Sequence, residues 1–85
     1  MKIKLLYFAG LREQVGTRGE DLEVSPEVTT VSGLRTLLMN RGGAWQTALA
    51  QGKALRVAVN QEVAQPATPV KPGDEVAFFP PVTGG

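Results

Sequence analysis

The 85-residue chain carries nine Lys and Arg against eight Asp and Glu, a formal net charge of +1, so it has no field strong enough to hold nucleic acid. It contains no cysteine and no histidine, which excludes disulfides, thiolate metal sites, a thiol nucleophile of its own and the commonest general base. The longest nearly apolar run, Leu5 to Leu11, is far below the ~18 residues of a membrane span, and the expectation is one soluble, cytoplasmic domain over residues 1–85.

In chain order, Lys2 to Ala9 predicts a first strand. Ile3, Leu5 and Tyr7 lie on one face, and Lys4, Leu6 and Phe8 on the other. Gly10 and Arg12-Glu13 are expected to end it, with Gly16 to Gly19 as loop. Asp21 to Val24 alternates as a second strand and stops at Ser25-Pro26. Thr30 is a suitable N-cap for a helix whose apolar stripe is Val31, Leu34, Leu37 and Leu38, with Gly42-Gly43 as its stop. Ala44 to Ala50 predicts a short helical turn carrying Trp45 and Leu49 inward.

Leu55 to Val59 reads as a third strand, Asn60-Gln61 as a tight turn, and Glu62 to Ala64 as a short fourth strand. Pro66, Pro69 and Pro72 keep the next stretch irregular. Pro72-Gly73-Asp74 then turns the chain into a last strand, Glu75 to Phe79, and Pro80-Pro81 ends the pairing. This order predicts an α+β grasp topology, a mixed sheet packed on one main helix. A ferredoxin-like split needs a second full helix.

The scattered carboxylates read as solvated surface, because adjacent pairs such as Glu20-Asp21 do not by themselves converge into an acid/base couple. Arg35, Arg41, Lys53 and Arg56 form a basic patch only if the fold collects them, and a mixed surface is the expectation. Two features go further. Leu6, Phe8, Phe79 and Val63 place apolar side chains on a second sheet face, as a protein interface does. The chain then ends in stiff Pro80-Pro81 and Val82-Thr83-Gly84-Gly85. Glycine without a Cβ passes through a channel too narrow for other residues, so a carboxylate on Gly85 can be presented inside another protein. Interface and threadable tail together describe a carrier.

The segment Asp74 to Gly85, with its Phe78-Phe79-Pro80-Pro81-Val82-Thr83-Gly84-Gly85 ending, closely resembles the C-terminal signature of the molybdopterin synthase small subunits. Phe8-Ala9-x-Leu11-Arg12-Glu13 resembles the end of that family's first strand, and Val57 to Gln61 its penultimate hairpin. The resemblance implies a ubiquitin-like β-grasp fold and a sulfur carrier. Gly85 would be adenylated by a ubiquitin-activating-type partner that uses ATP and Mg²⁺, this chain binding no cofactor itself. A sulfur donor protein bearing a persulfide would convert Gly85 to a thiocarboxylate. The carrier would then dock on the large synthase subunit in a heterotetramer, thread Gly84 and Gly85 into its active site and give sulfur to cyclic pyranopterin monophosphate. The resemblance further implies that Phe8, Val63 and Phe79 form the docking face, that Arg12 serves the activating partner, and that the catalytic side chains belong to the large subunit. A sulfur carrier of another pathway (thiamine or thionucleoside), a protein modifier and a plain interaction module remain the alternatives at this point.

Overall fold

The structure is a computed structural model that describes residues 1–50 and 54–81. Eight elements follow in order: β1 (Lys2–Tyr7), α1 (Ala9–Val15), β2 (Gly19–Glu23), α2 (Val31–Met39), α3 (Ala44–Ala48), β3 (Arg56–Val59), β4 (Glu62–Val63) and β5 (Glu75–Phe79). The strands form one mixed sheet in the order β2-β1-β5-β3-β4. β1 and β5 run parallel at its centre, and the other pairs are antiparallel. This is the grasp topology predicted from the element order.

One face of the sheet is buried. Ile3, Leu5, Tyr7, Val57, Val76 and Phe78 meet Val31, Leu34 and Leu38 of α2, Leu11 of α1, and Ala48 and Leu49 at the end of α3. The alternation of β1 and β5 is thus read by burial: Ile3, Leu5 and Val76 are fully enclosed, while Lys4 is exposed and Leu6 half-buried. α2 begins where Thr30 caps it, the side-chain Oγ1 accepting the Gly33 N–H at 3.1 Å. The Asn60-Gln61 turn has both residues at positive φ, 51° and 71°, as a two-residue hairpin turn requires. Asn60 also ties this turn to β5, its Oδ1 accepting the Glu75 N–H at 3.0 Å and its Nδ2 donating to Asp74 Oδ1 at 3.1 Å.

Three expectations are corrected. β1 ends at Tyr7 rather than Ala9, and the stretch expected only to break the strand ahead of the Gly16–Gly19 loop is helix α1. Ala9 at φ 55° turns the corner out of the sheet, and Gly16 at φ 78° closes the helix by donating its N–H to the Arg12 carbonyl at 2.9 Å. α2 ends at Met39, before Gly42-Gly43; Asn40 caps it in a right-handed conformation, and the two glycines turn the chain into α3. β2 starts two residues earlier than expected and ends one earlier, at Glu23.

Candidate functional site

Among the described residues no helix covers the second face of the sheet, and its composition follows from the register. Leu6 stands beside Ala77, Ala77 beside Ala58, and Ala58 beside Val63, so an apolar row crosses β1, β5, β3 and β4. Val63 is 66% exposed and Phe8 47%, the two large hydrophobic side chains left open among the described residues. Phe8 continues the outward phase of β1 on extended backbone, and its N–H bonds the Phe78 carbonyl at 3.2 Å. Phe79, half-buried, closes the row at the end of β5. Because β1 and β5 are parallel, Phe8 and Phe79 lie at the same end of the sheet, the end from which the chain continues to Pro80. The alanines at the centre keep this face low, so that another protein can approach it closely.

The structure therefore brings Phe8, Val63 and Phe79 onto one open face. Arg12 does not lie on the sheet: it is exposed on α1. Gly84 and Gly85 lie outside the described residues.

Charge on this face is ordered. Lys2 stands opposite Glu23, and Lys4 between Asp21 and Glu75. Opposite charges across strands are compatible with this register, which the buried face sets. Arg56 is different, because its cross-strand neighbour on β5 is Phe79. Sequence reasoning groups it with Arg35, Arg41 and Lys53 and expects a mixed surface. The signal that could have separated it was the β3 phase, which turns Val57 inward and Arg56 outward.

The basic patch itself is not formed among the described residues. Arg35 lies against α3, donating to the Leu49 and Ala50 carbonyls at 2.8 and 2.6 Å. Arg41 makes a bidentate pair with Glu20, both contacts 2.8 Å, and lies 4.5 Å over the Trp45 ring. Lys53 is outside the described residues. Glu20 is correspondingly not a free surface carboxylate: the Arg41 hydrogen bonds hold it below the usual glutamate range against the opposing effect of burial. Tyr7 completes the cluster by donating its hydroxyl to Glu20 Oε2 at 3.1 Å, and burial, then the Glu20 charge, push its phenol up. This cluster joins β1, β2 and the α2–α3 turn, and all its members are used in packing.

A cavity of about 210 Å³ opens between α2 and the β3–β4 edge, lined by apolar Val31, Leu55, Val57 and Phe78 and by polar Ser32, Arg35, Arg56 and Gln65. The helix start beside it is no anion site. The Val31 and Ser32 N–H groups bond the Thr68 and Pro66 carbonyls, and the Gly33 N–H bonds Thr30. No group of acidic residues among the described residues is arranged to hold a metal ion, and no helix there is long and apolar enough to cross a membrane.

Comparison with known proteins agrees with that geometry. The chain matches the ThiS family over residues 5–85. It is 48% identical to the molybdopterin synthase sulfur carrier subunit of Escherichia coli strain K12, covering 98% of this chain and 99% of the relative. The protein of that name from Haemophilus influenzae is 41% identical, with the same coverage of both chains. Among solved structures, small archaeal modifier protein 1 of Haloferax volcanii superposes with a TM-score of 0.75 at 27% identity, over 95% of this chain and 98% of that one. A chain from the complex of subunits 1 and 2 of molybdopterin-converting factor from Helicobacter pylori gives 0.67 at 21% identity, over all of both chains, and shows the shared fold. The fold is the ubiquitin-like β-grasp.

Proposed function

The chain belongs to the ThiS family, alongside the molybdopterin synthase sulfur carrier subunits, and on that premise we propose that it carries sulfur on the Gly85 carboxylate for molybdopterin assembly. The observation that carries this reading is the 48% identity to the E. coli carrier subunit over nearly the whole of both chains. The open face supports it: a carrier must be recognised by proteins that supply the chemistry, and this chain offers an apolar row on which a partner can seat. The tail begins beside that surface. Gly85 lies six positions beyond Phe79, a reach of at most about 22 Å, so a partner seated on Phe8, Val63 and Phe79 can have its active site within range of Gly85.

The proposed sequence starts with attack of the Gly85 carboxylate on the α-phosphorus of ATP, held with Mg²⁺ by a ubiquitin-activating-type partner. Pyrophosphate leaves, and the carboxylate becomes a mixed anhydride. Arg12, exposed on α1, is the proposed contact for that partner. The terminal sulfur of a donor protein's persulfide displaces AMP, and a thiol resolves the resulting acyl disulfide to the thiocarboxylate. With no cysteine in the chain, no thiol of the carrier competes for the activated carbonyl. The charged carrier docks on the large synthase subunit, a pairing supported by the H. pylori neighbour's presence in a two-subunit complex. Gly84 lets the backbone enter a narrow channel, and sulfur passes to cyclic pyranopterin monophosphate. Two transfers make the dithiolene, and two carriers on a dimeric large subunit make the proposed heterotetramer.

Intact mass after incubation with ATP, the activating partner and a sulfur source tests this. Replacement of one oxygen by sulfur at Gly85 is expected. An unchanged mass, with a partner shown to be competent on another carrier, rejects it. A second reading, a protein modifier, is favoured by the likeness to the archaeal modifier protein; higher-mass conjugates on a denaturing gel would mark that outcome.

A further inference from the structure

On the open face of the sheet every charged residue but one stands opposite a residue of the other sign. Lys2 faces Glu23, and Lys4 is flanked by Asp21 and Glu75. Among the described residues of this face Arg56 alone lacks an oppositely charged cross-strand neighbour: it stands opposite Phe79, and its exposed guanidinium, like the ammonium groups of Lys2 and Lys4, makes no hydrogen bond or ion pair there. It stands at the end of the sheet that leads into the tail, beside the apolar row of Leu6, Ala77, Ala58 and Val63. An unpaired cation next to a half-buried aromatic is how an interface rim selects a partner by charge.

We infer that Arg56 is the charge-specifying contact of this docking face, pairing with a carboxylate on the rim of the large-subunit surface that covers Phe79. The inference rests on the carrier reading above. A guanidinium suits the role because its planar donors match a carboxylate bidentately. The apolar row then supplies contact area, while Arg56 orients the carrier so that the tail, rather than the Lys2–Glu23 end of the sheet, meets the active site. A partner surface that is basic at this rim is rejected, since like charges brought together at an interface are costly.

The test is the dissociation constant of the full-length chain with the large synthase subunit of the same organism, measured at low and high salt. Arg56→Glu is expected to weaken binding about tenfold at low ionic strength, and Arg56→Gln less. The differences should shrink near 1 M salt, where the screening length falls to ~3 Å. Lys71→Glu, an equal change of charge near the opposite end of β5, is expected to bind as the unaltered chain does. Melting curves establish that the Arg56 variants are folded, as an exposed, unpaired side chain leads one to expect. If Arg56→Glu binds normally while Phe79→Ala is weakened, the face docks without a carboxylate at Arg56, and the inference fails while the carrier reading stands. If neither substitution weakens binding, the docking face itself is misassigned. Tighter binding by Arg56→Glu would mean a basic rim on the partner and would equally overturn the proposal.

Discussion

Glu20 is the residue whose environment departs furthest from its appearance in the sequence. It alternates with Asp21 on β2, so the two carboxylates face opposite sides of the sheet, Asp21 beside Lys4 and Glu20 beneath Tyr7 and Arg41. Its pKa is lowered, first by the Arg41 hydrogen bonds. The folded state therefore binds this proton less readily than the unfolded chain does. The stabilisation is fully present above the ordinary glutamate pKa and is lost as pH falls through the lowered value. Glu20→Gln should melt below the unaltered protein at pH 7, by no more than about 1 kcal/mol because the pair is partly open to solvent. That difference should vanish in acid; thermal melts followed by Trp45 fluorescence between pH 7 and 3 would show it. Gly19 makes a second residue-scale prediction. A Cβ there would run into the Leu5 carbonyl on the neighbouring strand and lie 3.1 Å from the Leu6 side chain. Gly19→Ala should cost about 1–3 kcal/mol in urea denaturation, as overpacking does.

At the scale of elements, α2 and α1 show two sources of helix stability. α2 has a local start signal, Thr30, and three buried residues at helical spacing, Val31, Leu34 and Leu38. Thr30→Ala removes the cap on the Gly33 N–H and should lower stability by about 1 kcal/mol, read from the denaturation midpoint. α1 has neither advantage. It is seven residues long with no side-chain cap at its start and no acidic residue in its first turn, well below the ~12–15 residues that a helix needs to persist alone. It exists because Leu11 is buried in the core and Gly16 closes it. Leu11 and Val15 did carry the i, i+4 spacing of a helix, but Gly10, in the first turn of α1, masked it. The hairpin of β3 and β4 was legible, since Asn60-Gln61 is turn chemistry; its register, which decides that Val63 shares a face with Ala58, was not.

At the scale of the whole molecule, the parallel pairing of β1 with β5 joins the first and last strands and makes the site. It sets Phe8 and Phe79 at one end of the open face and starts the tail there. The tail follows the last paired strand, so deleting Gly85 removes nothing from the described core. The expected outcome is an unchanged melting curve with loss of sulfur transfer in a reconstituted synthase assay. A lowered melting temperature would show that Gly85 contributes to packing, and retained transfer would show that the carboxylate of Gly85 is not the carrier group.

The sequence by itself determined the alternation of every long strand, the capped helix α2, the turns at Asn60-Gln61 and Pro72-Gly73-Asp74, and the candidate residues Phe8, Phe79 and Gly85. These follow from periodicity, turn chemistry and glycine's freedom, each of which acts within a few residues. The order of strands in the sheet, the existence of α1, the pairing of Arg41 with Glu20 and the isolation of Arg56 beside Phe79 were decided only by the tertiary structure. Each depends on residues more than ten positions apart being brought together, and the free energy that does so is burial of the shared core, which no local pattern records.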